Sequence, residues 1–153
     1  MATEANKAIV RRLVDEVFNS GHLEVIDELY APALAGAAKR WITPFRNSFP
    51  DVHMELVELI GEGDKVVGRF TCSATHLGEW LGQAPTGRRF ARVDEIWILR
   101  FREGRIVHVW SLEDTLDRLR QLASPTCTAN SGSTSTSWSA SAPPWPTRLV
   151  GAS

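Results

Sequence analysis

"RRFARVDEIWILRFREGRIVHVWSL", residues 88–112, reads as two alternating segments joined by a glycine turn. Alternation with period two places one series of side chains on each face of a strand, and "REGR" between the segments is hairpin chemistry. In the first segment Val93, Glu95, Trp97 and Leu99 form a series that is apolar except for one carboxylate. The other series is Arg92, Asp94, Ile96, Ile98 and Arg100. A sheet with one apolar face needs a cover, and this requirement sets what the rest of the chain must supply.

Upstream, "VHMELVELIG" (52–61) and "DKVVGRFTCSATH" (64–76) alternate in the same way around a second glycine turn, "GEGD". The link "LGEWLGQAPTG" (77–87) is longer than a hairpin needs. Before the strands the period changes. Ile9, Val10, Leu13, Val14, Val17 and Phe18 recur at three- and four-residue spacing after a cap at Thr3, and "NSG" stops that helix. "HLEVIDELY" is a second short helix ending at Pro32. A third, "AAKRWITPFRNSF", presents Trp41, Phe45 and Phe49 and is bent or interrupted at Pro44. "LEDTLDRLRQL" closes the domain as a helix or helical turn. Helices ahead of a strongly bent antiparallel sheet give an α+β layout, the helices covering one face and leaving a pocket between them.

Composition bounds the function. The 153 residues hold 43% apolar and 23% charged side chains with net charge −1, a globular balance that offers no phosphate-neutralising surface for nucleic acid. No apolar run approaches the ~20 residues of a membrane span, and "MATEANKAIVRR" lacks a signal-peptide core, so a cytoplasmic protein is expected. Cys72 and Cys127 are expected as free thiols. No metal-ligand pair, phosphate loop or nucleophile elbow is present, and neither metal nor cofactor is expected. Residues 1–122 read as one domain. Residues 123–153, rich in Ser, Thr, Ala and Pro and including Trp138 and Trp145, read as a disordered tail without chemistry.

Four blocks in order resemble the SnoaL-like polyketide cyclase family of the NTF2-like superfamily, over roughly residues 4–122. They are "NKAIVRRLVDEVFNSGHLEVIDELYAP", "RNSFPDVHMELVELIGEGDKVVGRF", "THLGEWLGQAPTGRRF" and "RFREGRIVHVWSLEDTLDRLRQL". The resemblance implies a cone of curved sheet wrapped on helices, a deep hydrophobic pocket, and a homodimer through the outer face of the sheet. It also implies ring closure of a polyketide by an intramolecular aldol reaction without metal or cofactor. Two departures stand out. Many relatives read "EHWD" where this chain has "HVWS", so Val109 replaces a common His and Ser111 a common acid; and the stretch after "YAP", often polar with a His, is here "ALAGAAKR".

The missing acid has to be sought across the hairpin, because directly paired residues share a face. With a type I turn and Gly104 in the left-handed region, Phe101 pairs with Arg105, Trp97 with Val109, and Glu95 with Ser111. A two-residue turn at Glu103 and Gly104 instead brings Asp94 opposite Glu113 on the pocket face. The first register is preferred, since it puts the matched His and acid positions on the face of the apolar series. Glu95 is then the acid or base, with His76 at the strand end sharing proton transfer and Asp94 as the alternative carboxylate. Burial raises a carboxyl pKa toward neutrality, which suits both removal of a proton between two carbonyls and its return to an alkoxide. Tyr30, Trp41, Arg69, Trp80, Trp97, Val109, Ser111 and Glu113 are the expected substrate contacts, and Asp114 fits a contact at the pocket rim and a helix N-cap equally well. Other readings compete with the cyclase or isomerase: an epoxide hydrolase with two carboxylates flanking an arginine, or a pyran-forming enzyme, and a non-catalytic module binding a small hydrophobic ligand.

Overall fold

The computed structural model describes residues 2–123; the expected tail, with Cys127, Trp138 and Trp145, lies outside the described residues apart from Ala123. The order is α1 (Ala2–Arg12), a π-helical continuation (Leu13–Asn19), a 3-10 turn (Leu23–Val25), α2 (Ile26–Leu29), α3 (Pro32–Ser48), β1 (His53–Glu62), β2 (Lys65–Thr75), β3 (Arg89–Arg102), β4 (Arg105–Glu113) and α4 (Thr115–Leu122). The strands form one antiparallel sheet in sequence order. The α+β architecture is the one expected.

Local physics accounts for the differences at the helix ends. Thr3 stands inside α1 rather than capping it. Gly21, at φ +80°, takes the left-handed conformation that ends the first helical run. Asn19 then ties that end to β1, donating to the Met54 carbonyl at 3.0 Å and accepting its amide at 2.7 Å. Pro32 does close the second helix, but it also opens α3, because its missing N–H is unneeded in a first turn. The helix consequently begins earlier than expected, takes in "ALAGAAKR", and runs on through Pro44 without a break.

The hairpin from β3 to β4 corrects both expected registers. Glu103 (φ +50°) and Gly104 (φ +71°) are both left-handed, which is the two-residue turn. Val107 is then left over, since Phe101 pairs with Ile106 and Arg100 with His108. This bulge restores the parity that the tight turn alone would have reversed. Glu95 pairs with Glu113, Trp97 with Ser111 and Leu99 with Val109. Glu95 is on the inner face as expected, but opposite Glu113 rather than Ser111, and Asp94 is on the outer face.

A second bulge shapes β3 at its start. Cys72 pairs with Val93 and Ala74 with Phe90, leaving Ala91 and Arg92 opposite Ser73, with Arg92 at φ +54°. Phe90 and Val93 therefore both point inward although three residues apart, and both are fully buried. Gly68, paired with Trp97, is a close-approach glycine. A Cβ there would stand 2.3 Å from the Phe70 ring, which lies 4.4 Å from the Trp97 ring.

The concave face and the helices enclose a largely aromatic interior. Phe18 lies 5.2 Å from Trp97, and Phe49 lies 5.0 Å from Phe45 and 5.2 Å from Phe90. Burying each such ring stabilises the fold by roughly 1.5–3 kcal/mol. α2 and α3 meet the free edge of β4, where Tyr30 bridges Ile106 and the Ala31 amide donates to the Ile106 carbonyl at 2.9 Å.

Candidate active site

α4 brings to the interior a residue that the sequence reading did not select. Of the two roles open to Asp114, it takes the cap, accepting the Asp117 amide at 2.8 Å. Gln121 clamps the helix to the β3 bulge, accepting the Ala91 amide at 2.7 Å and donating to its carbonyl at 3.1 Å. Between these anchors Arg118 points into the cone and is fully buried, as is Leu122 one turn later. Its Nη2 donates to Glu95 Oε1 at 2.9 Å and its Nη1 to Glu113 Oε2 at 2.6 Å. The guanidinium carbon stands 4.9 Å from the Phe90 ring centre, 5.3 Å from Trp80 and 5.5 Å from Phe45, within cation–π range of all three.

Glu95 is the most deeply buried carboxylate of this group, with its side chain 6% exposed against 27% for Glu113. Trp97 Nε1 donates to its Oε2 at 3.1 Å. Burial is the main influence on its acidity. Desolvation, reinforced by the nearby Glu113 charge, outweighs the Arg118 charge and the hydrogen bonds from Trp97 and Arg118, so its pKa is pushed up to about 7. Cys72 beside it is pushed up too, by burial and then by the Glu95 charge. Arg118 stays cationic, because the two glutamates more than offset the desolvation that would lower its pKa. A carboxyl that exchanges a proton near neutrality, held next to a permanent cation inside aromatic walls, has the physical character of an acid–base catalyst.

The other expected site residues divide by position. His76 is wholly buried; its Nδ1 meets the Thr86 amide at 3.3 Å and the Thr86 hydroxyl at 3.2 Å, and its ring lies 5.5 Å from Phe49. Trp80 is half-buried over Phe49 and Arg118. Trp97 and Tyr30 are buried, and Trp41 is half-buried against Phe18 and Phe45. Val109 and Ser111 belong to the inner face of β4, half-buried and exposed respectively, so the inner face reaches solvent along that edge. Arg69 and Asp94 stand apart from this group: they are exposed and paired with each other at 3.0 Å on the outer face. Alternation explains this, since both lie one residue out of phase with Phe70 and Glu95.

Arg118 was legible only through phase. Leu122, four residues on, shares its side of a helix, whereas Arg120 falls on the opposite side. Among the described residues, no group of His, Cys, Asp or Glu is arranged to hold a metal ion, and no helix is long and apolar enough to cross a membrane.

The fold and the sequence have counterparts among known proteins. The chain is 32% identical over 111 residues to the aklanonic acid methyl ester cyclase DnrD of Streptomyces peucetius, covering 72% of this chain and 74% of that protein. Among solved structures, AclR of Streptomyces galilaeus, a candidate hydroxylase, superposes with a TM-score of 0.71 at 26% identity, over 78% of this chain and 82% of that one. A SnoaL-like protein from Jannaschia sp. CCS1 gives 0.75 at 20% identity, over 81% and 95%, which speaks for the fold alone. The sequence model of the SnoaL-like polyketide cyclases matches residues 8–122, and the chain belongs to that family.

Proposed function

We propose that this protein is a cofactor-independent cyclase that closes a ring in a polyketide-like intermediate, with Glu95 as the acid–base group. The observation that carries the reading is the Glu95 carboxyl: buried, bonded to Trp97 and Arg118, with its pKa pushed up to about 7 by burial. An aldol closure requires one group to take a proton from carbon and return it to oxygen, and a carboxyl matched to the ambient pH does both. The substrate class follows from the relatives, named for acting on aklanonic acid methyl ester, and from walls of Trp41, Phe45, Trp80 and Trp97, which suit planar polycyclic compounds. Orientation of a flexible chain against those walls supplies a further part of the rate. Because Arg118 and His76 have no exposed surface, admission of a substrate requires side chains to move, and half-buried Trp80 is the element best placed to do so.

Aklanonic acid methyl ester is the first compound to offer the purified protein, with product followed by chromatography and mass spectrometry. Ring closure gives a product of unchanged mass. Glu95→Gln is expected to keep the fold and substrate binding while turnover falls by 10²-fold or more, within the range typical of lost acid–base catalysis. Turnover unchanged in that variant would sink the assignment.

One observation favours a second reading. Two carboxylates bridged by one arginine, Glu95 and Glu113 on Arg118, are the group set for water addition to an epoxide. A product heavier by one water, labelled when the reaction is run in H₂¹⁸O, separates that chemistry from ring closure.

A further inference from the structure

Among the described residues, two buried N–H groups near the site have no acceptor. Arg118 spends both terminal nitrogens on Glu95 and Glu113, and its Nε–H is left without a partner. His76 Nδ1 receives the Thr86 amide, so in the neutral ring the hydrogen stands on Nε2, which is likewise buried and unpartnered. A buried donor left unmet is costly, and more so when it is charged. Native interiors rarely carry such groups, and two of them border the same rings. Phe49 lies 5.5 Å from His76 and 5.2 Å from Phe90, Phe90 lies 4.9 Å from the guanidinium carbon, and Trp80 approaches both Phe49 and Arg118. Aromatic faces are weak acceptors, so an oxygen atom of a bound molecule would meet hydrogen-bonding capacity that these side chains leave open.

We infer that Arg118 Nε–H and His76 Nε2–H are a donor pair for the substrate oxygen on which negative charge develops, the enolate oxygen of a planar β-dicarbonyl. The inference rests on the reading of Glu95 as the base and names the groups that receive the charge Glu95 releases. The Glu95 carboxylate takes a proton from the carbon between two carbonyls. The C–H electron pair becomes a C=C bond, and the carbonyl π pair moves onto oxygen, facing the two donors. The enolate carbon then forms a C–C bond to a second carbonyl carbon. The π pair of that carbonyl becomes an alkoxide, which recovers the proton from Glu95, so no atom is gained or lost. Throughout, the Arg118 cation stays in place while one negative charge passes from Glu95 to the substrate. Such fixed donors act strongly because nothing reorganises during the reaction. Purely structural roles, holding α4 to the sheet or the link to Thr86, employ Arg118 Nη1 and Nη2 and His76 Nδ1, and they leave the two unpartnered hydrogens unused.

The test uses benzoylacetone, a 1,3-diketone whose enolate has its own ultraviolet absorbance, with the Glu95→Gln protein, so that the base is absent and the donors remain. The bound diketone is expected to ionise at least one pH unit below the free compound, a tenfold or greater preference for the enolate. Adding His76→Phe or Arg118→Lys to that background is expected to remove most of the shift, with circular dichroism confirming the fold. Should Arg118→Lys fail to fold, the His76→Phe arm decides. Absence of binding, ionisation at or above the free value, or a shift that survives in the folded variants overturns the donor pair. Loss of turnover in Glu95→Gln is scored separately, so the base and the donors can fail independently.

Discussion

Glu95 and Arg118, 23 residues apart in sequence, are joined at 2.9 Å inside the cone. β3 supplies the carboxylate and α4 the guanidinium, and neither element alone fixes their distance. The Asp114 cap sets where the helix begins, and the Gln121 clamp on Ala91 sets how it lies on the β3 bulge. Burial costs both charges hydration. The pair relieves part of that cost, yet Glu95 still titrates near neutrality because desolvation and Glu113 act together against Arg118.

Glu95→Gln is expected to change how stability depends on pH. The folded-state pKa of Glu95 is raised from 4.5 to about 7. The folded protein then binds this proton more tightly than the unfolded chain, so the contribution is fully present below pH 4.5 and lost as pH rises through about 7. Roughly 3 kcal/mol of wild-type stability should disappear across that window. Urea unfolding of wild type and variant at pH 4.5 and pH 8 checks this: the variant should gain relative to wild type at the higher pH. A difference that does not vary with pH contradicts the shift.

The rate should show the same group. With Glu95 as the base in the free enzyme, kcat/KM rises about tenfold per pH unit below its pKa and levels off above about 7. The residual rate of Glu95→Gln should show no inflection there. A wild-type profile that is flat between pH 6 and 8 removes Glu95 from the chemistry.

The elements were legible where side-chain period is a local property. Four strands and the Asp114 cap follow from alternation and cap chemistry in the sequence itself. The face of Glu95 was legible too, because Val93, Trp97 and Leu99 share its parity. Its partner was not. Register depends on a bulge at Val107, which no residue type announces, and a single extra residue decides which side chains share a face. Arg118 was hidden for a different reason. An arginine in a polar helix reads as solvated, and only the docking of α4 on β3 turns it inward. Arg69 shows the converse, since a mid-strand arginine among apolar neighbours lies outside on alternation alone.

Gly68→Ala tests how tightly the rings behind Glu95 are packed. The new Cβ would meet the Phe70 ring, which lies 4.4 Å from the ring of Trp97. Relief requires the Phe70 ring to move, and a shift passed on to Trp97 weakens the bond that it donates to Glu95. Overpacking of this kind costs typically ~1–3 kcal/mol, and loss of the Trp97 bond should lower activity as well. Thermal unfolding and turnover measured on the same sample check both; an unchanged melting temperature refutes the close packing.

The outer face of the sheet is expected to form a homodimer. Ile96, Trp110 and Leu112 are 41%, 49% and 59% exposed and adjoin across β3 and β4, an apolar strip on a face that alternation would otherwise leave polar. Ile96→Lys with Leu112→Lys replaces exposed side chains, so folding should be nearly unaffected. Light scattering should show a dimer for wild type and a monomer for the variant. A monomeric wild type ends the proposal.

Removing the cation while keeping both carboxylates is the most demanding test of the site. Arg118→Met preserves much of the side-chain volume and the contacts with Phe45, Trp80 and Phe90, but leaves Glu95 and Glu113 without their shared partner. Breaking a buried pair in this way costs on the order of 3–5 kcal/mol, because a charge is left uncompensated. Arg118 is one of the groups that hold the Glu95 pKa down, so in the variant that pKa should move further upward. The sign then follows: destabilisation by Arg118→Met should be smallest near pH 5, where Glu95 takes up a proton, and should grow toward pH 8. Adding Glu95→Gln removes the stranded charge and should recover at least ~1 kcal/mol at pH 8, a non-additivity expected of residues in contact. Denaturant titrations of the wild type, both single variants and the double variant measure that coupling. If the two substitutions add without interaction at pH 8, the bond between Glu95 and Arg118 is not what keeps this carboxylate in the interior.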